Sequence, residues 1–133
     1  MDIINEKTMG LTTLFENLTS ARVKSLINDE EKLIIIINKG DLKKALKNKS
    51  NAEKVMKKRI QIIEFTSNIQ KFIFSFIFPA KGKLIDENKL ILEGKGRLFK
   101  EKALGEKRKN LKYLQQTIKK HFNKEIEVRI ANG

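Results

Sequence analysis

The chain has no cysteine, a single histidine (His121) and four aspartates in 133 residues. Without cysteine there are no disulfides and no thiolate metal sites. One histidine and carboxylates scattered along the chain supply neither a nucleophile–base pair nor a metal-ligand cluster, and no Walker-type loop is present. His121 falls in the last turn of a strongly periodic helix, where the helix dipole favours an imidazolium, so capping is the expected role. Glu16, Glu64 and Glu127 belong to different elements and read as solvated side chains. Neither catalysis, a cofactor nor a small-molecule substrate is therefore expected. Long apolar runs are missing too. The most apolar stretch, Ile69 to Ala80, is shorter than the ~20 residues that span a bilayer, and Met1 to Leu11 shows no signal pattern. A soluble, cytoplasmic protein that does not insert in a membrane is expected.

Acidic residues are scarce beside basic ones. There are 29 Lys and Arg against 16 Asp and Glu, a formal net charge of +13. Hydrophobic residues make up 40% of the chain, enough to build a core, so the composition is globular rather than disordered. A surplus of this size points to a polyanionic partner: RNA, DNA or an anionic membrane face. Lysine-rich surfaces also serve solubility and thermal stability.

The hydrophobic pattern repeats. Met9, Leu11, Leu14, Phe15 and Leu18 recur at helical spacing over Thr8 to Leu18. Arg22 to Asn28 and the aliphatic run Leu33 to Ile37 read as two strands of a hairpin turning at Asp29-Glu30-Glu31. Asp41 is placed to cap a short helix, Leu42 to Leu46. Ser50 and Glu53 have the spacing of a capping box for a second short helix. Ile60 to Phe65 closes the unit as a strand. The same order then recurs. Ile69 to Phe78 is a helix, Lys81 to Ile85 and Lys89 to Leu92 a hairpin, Leu98 to Leu104 a short helix, and Asn110 to Phe122 an amphipathic helix. Ile126 to Ile130 is the last strand. Phe72, Phe74, Phe76 and Phe78 alone fit a strand, and could stack bases. Their place in the repeat favours a buried helix through which the two units would pack against each other.

The pattern predicts an α+β chain of two units, 1–67 and 68–133, each reading helix-strand-strand-helix-helix-strand. Between the paired helices lie two basic corners, Lys47-Asn48-Lys49-Ser50 and Gly105-Glu106-Lys107-Arg108. A tight turn before a helix N-terminus presents backbone N–H groups to a phosphate.

This repeat resembles the type II KH domain, and the chain as a whole is similar to the archaeal NusA-like transcription factors, two such domains in tandem. Thr12-Thr13-Leu14-Phe15-Glu16-Asn17-Leu18-Thr19 followed by Ala21-Arg22-Val23-Lys24, then Ala45-Leu46 and Ile62-Ile63-Glu64-Phe65, match the first unit. Pro79-Ala80-Lys81 falls at the junction. Ala103-Leu104-Gly105, Asn110-Leu111 and Lys120-His121-Phe122 match the second. The resemblance implies binding of single-stranded RNA near RNA polymerase and an influence on pausing or termination.

Both corners depart from the Gly-x-x-Gly clamp of KH domains. The first, 47–50, has neither glycine, and Ser50 and Glu53 are expected to satisfy its helix start and repel phosphate. The second, 105–108, keeps Gly105 and is followed by Lys109. Residues 81–133 also carry the larger surplus, +8 against +5 for residues 1–80. The expected RNA contacts are therefore Gly105, Lys107, Arg108, Lys109 and Lys112 first, with Lys47 and Lys49 behind them. The competing expectation is a KH pair whose loops have decayed and which docks on RNA polymerase or the ribosome.

Overall fold

The computed structural model describes residues 6–77, 81–85, 88–93 and 109–130. The chain divides into two compact units between Thr66 and Ser67, and each is described by itself.

The first unit runs α1 (Glu6–Thr19), β1 (Val23–Asn28), β2 (Lys32–Ile37), α2 (Leu42–Lys47), α3 (Lys49–Met56) and β3 (Arg59–Glu64). Its sheet has the order β1-β2-β3. β1 is antiparallel to β2, as a short hairpin requires, and β3 is parallel to β2 after the helical crossover. The register is irregular between Val23 and Ser25, where the first strand starts.

The aliphatic run explains the central strand. Leu33, Ile34, Ile35, Ile36 and Ile37 are all removed from solvent. Successive residues of a strand alternate between faces. Leu33, Ile35 and Ile37 share one cluster with Phe15 of α1, Ala45 of α2, Ala52 of α3 and Ile60 of β3. Burial of each Leu, Ile or Phe side chain contributes about 1.5–3 kcal/mol. The two alanines let α2 and α3 sit close to the sheet. Asp29 closes the β1–β2 turn, its Oδ2 accepting from the Glu31 N–H at 3.1 Å.

The second unit repeats the pattern with α4 (Ile69–Ile77), β4 (Lys81–Ile85), β5 (Lys89–Glu93), α5 (Lys109–Phe122) and β6 (Glu127–Ile130). Its sheet order is β4-β5-β6, again antiparallel and then parallel. The helix expected at Leu98 to Leu104 lies outside the described residues. α4 is helical, and Phe72, Ile73, Phe76 and Ile77 are buried along it. The Phe72 ring packs 6.2 Å from Phe76 and 5.7 Å from Phe122 of α5. Phe74 is exposed, and Phe78 lies outside the described residues. On α5 the buried stripe is Leu111, Leu114, Thr117 and Ile118, the 3.6-residue period expected from its sequence.

Gln70 ties α4 to β4. Its amide nitrogen donates to Gly82 O at 3.2 Å, and its amide oxygen accepts from the Leu84 N–H at 2.9 Å. The side chain thus pairs with the strand as a neighbouring peptide group would. Among the described residues no helix is long and apolar enough to cross a membrane.

Candidate nucleic-acid interface

The first corner is tighter than its sequence suggested. Lys47 is the last residue of α2 and Lys49 the first of α3, so only Asn48 interrupts the two helices. Lys47 is exposed and Lys49 half-buried. The expected four-residue loop is therefore helical on both sides of a single hinge residue.

The expected capping box does not form. Asn48, not Ser50, occupies the cap position of α3, with no side-chain cap hydrogen bond. Its amide nitrogen turns back and donates to Lys44 O at 3.0 Å. Glu53 faces the other end of the helix, where its Oε2 accepts from the Ile60 N–H at 2.9 Å. The physical reason is that the start of β3 offers a half-buried backbone donor, whereas the α3 start is open to water. Neither Ser50 nor Glu53 blocks the corner, and the positive end of α3 stays uncapped by side chains.

Asp41 also departs from expectation. It precedes α2, but makes no side-chain cap bond to it. Instead its Oδ2 accepts from the Arg22 N–H at 2.8 Å, and Lys44 Nζ lies 3.6 Å from its other oxygen. The Arg22 N–H, and after it the Lys44 ammonium, hold the Asp41 carboxyl below its ordinary range. The carboxylates read as merely solvated have partners as well. Glu16 Oε2 accepts from the Val23 N–H at 2.8 Å, and Glu64 Oε2 from the Gly40 N–H at 2.8 Å. Gly40 has φ 96, a left-handed conformation that suits glycine. Glu127 accepts from Arg129 Nε at 2.8 Å, a bond that lowers its carboxyl below the usual range.

Of the residues expected in the second corner, Gly105, Lys107 and Arg108 lie outside the described residues. Lys109 opens α5 and is half-buried, and Lys112, one turn on, is exposed. α5 has no acidic residue in its first turn and closes with Lys119, Lys120 and His121, as the helix dipole favours. Among the described residues no three His, Cys, Asp or Glu side chains gather where they could hold a metal ion.

No family model matches the chain. Over 82 residues it is 29% identical to the probable transcription termination protein NusA of Methanococcus vannielii, a match covering 59% of this chain and 47% of that protein. The match thus spans about half the length of that curated relative. The crystal structure of APE1850 has a TM-score of 0.65 to this chain, covering 96% of it and 100% of the other at 18% identity. At that identity the second likeness speaks for the fold alone. The chain thus has sequence likeness to a NusA protein and shares its fold with APE1850.

Proposed function

We propose that this chain is an RNA-binding transcription factor of the archaeal NusA type, built from two type II KH domains whose Gly-x-x-Gly loops have diverged. It binds single-stranded RNA mainly through charge and acts on pausing or termination, without catalysis. The observation that carries the reading is the α2–α3 corner, where Lys47 and Lys49 flank an uncapped helix start. The likeness to a NusA protein and the net charge of +13 support it.

The second corner is assigned the same task through Gly105, Lys107, Arg108, Lys109 and Lys112. Contacts made by lysine and arginine side chains hold phosphates without reading bases, so little sequence preference is expected. Because Glu53 is engaged elsewhere, the first corner has no side-chain obstacle to phosphate, and both corners are expected to contribute.

The test is titration of labelled single-stranded RNA with the whole chain, with duplex DNA as competitor. Saturable binding that prefers RNA is expected. Charge reversal at Lys47 and Lys49 should weaken it several-fold, as should reversal at Lys107, Arg108 and Lys109. Loss at the second corner alone would remove the first from the interface. Absence of RNA binding at low salt would replace the proposal with a protein-docking role on RNA polymerase or the ribosome.

A further inference from the structure

The far end of α3 carries a second cationic cluster. Lys54, Lys57, Lys58 and Arg59 fall within six residues, and with Glu30, Glu31 and Glu53 they line a groove between the α3–β3 turn and the β1–β2 turn. Two of these seven groups are already committed. Lys58 Nζ donates to Asn28 Oδ1, and the Glu53 carboxylate holds the Ile60 N–H. Lys54, Lys57 and Arg59 are exposed and form no ion pair among the described residues.

Their arrangement follows from the helix. Lys54 lies four residues after Ser50, on the same face of α3, and Lys57 follows as the residue that caps the helix at its far end. All three are exposed, while Ala52 on the opposite face is in the core. Lys57 ends the helix in a left-handed conformation, φ 55, with its N–H bonded to Glu53 O. That turn brings Arg59 into the groove lining directly after it. α3 has 8 residues and is therefore only ~12 Å long. The corner with Lys47 and Lys49 and the cluster with Lys54, Lys57 and Arg59 are the two ends of one short rod.

We propose that the outer face of α3 is a phosphate track: single-stranded RNA held at the α2–α3 corner continues along the helix, and Lys54, Lys57 and Arg59 take its following phosphates. The inference rests on the RNA-binding function proposed above and extends the site beyond the corner. Glu30 and Glu31 on the facing wall repel phosphate and confine the RNA backbone to the α3 side of the groove. Flexible side-chain cations make these contacts, so the track adds affinity without sequence preference.

The test compares the salt dependence of single-stranded RNA binding for the whole chain and two triple variants. One is K54Q/K57Q/R59Q. The other, K39Q/K83Q/K124Q, removes the same charge from exposed lysines elsewhere. Each phosphate contact to a single strand contributes about 0.7 to the slope of log affinity against log salt. Loss of three contacts should flatten the slope by about 2, and the control should keep the slope of the parent chain. Should the first triple variant melt below the assay temperature, the single variants K54Q and R59Q, each expected to lose about 0.7 of slope, carry the test. Equal slopes for the parent chain and the α3 variants, with RNA still bound, overturn the track and leave the proposed function standing. No binding by the parent chain overturns both.

Discussion

Single carboxylates hold the first unit together at its backbone corners. Glu16, Asp41, Glu53 and Glu64 each accept from a peptide N–H at a strand start or turn. A half-buried donor left without its acceptor costs about 1–3 kcal/mol. Glu53→Ala should therefore destabilise the chain by about that amount, whereas Glu53→Gln, which keeps an acceptor oxygen, should recover most of it. Chemical denaturation of the two variants decides the matter, and equal, negligible losses would contradict the bond to Ile60. Asp41 makes a pH-dependent contribution. Its carboxyl is held below the ordinary value when folded, by the Arg22 N–H first and Lys44 after it. A depressed folded pKa gives stability above the unfolded value that is lost as pH falls through the folded one. The parent chain should thus be more stable than Asp41→Asn at neutral pH, and the difference should vanish on acidification through and below the ordinary aspartate range. A difference independent of pH would show that the charge of Asp41 is not what matters. These roles were not legible in local sequence. The partner of Asp41 is nineteen residues away and that of Glu53 seven, while the spacing rules for caps look only three residues ahead. The backbone of Asp41, φ −99 and ψ 2, is not the extended one a helix cap adopts.

At the scale of the element, hydrophobic period was the most informative signal. The run Leu33 to Ile37 announced a buried strand, which the structure places at the centre of its sheet, and the stripe on α5 announced its helix; both are observed. The phenylalanines at every second position of α4 were ambiguous because the isoleucines between them complete a helical pattern. The structure separates the two readings by burial. Phe72 and Phe76 are inside with Ile73 and Ile77, and Phe74 is 46% exposed. Phe72→Ala should cost about 3–5 kcal/mol, as loss of a buried ring does, and Phe74→Ala far less. Similar costs in thermal or denaturant melts would contradict the helical placement. The paired helices around Asn48 were foreseen, but the break was read as four residues and spans one. Asparagine at the hinge, with its amide bonded back to Lys44 O, allows α3 to start sooner than the Ser50–Glu53 spacing implied.

For the whole molecule, a hairpin, a helical crossover and a parallel third strand recur in both units, and the short helix expected at Leu98 to Leu104 lies outside the described residues. Which residues would touch RNA is not written in that order. On the proposed function it depends on which helix ends stay uncapped, and the α3 start is open because Asn48 bonds back to Lys44 and Glu53 is drawn to Ile60. The central proposal is that exposed lysine and arginine side chains of this chain, whose net charge is +13, hold single-stranded RNA by its phosphates. The most direct test is the affinity of the whole chain for single-stranded RNA across a salt series. The account predicts that log affinity falls linearly with log salt, by about 0.7 for each phosphate contacted, with several phosphates engaged. Tight binding indifferent to salt, or no saturable binding at low salt, would contradict it.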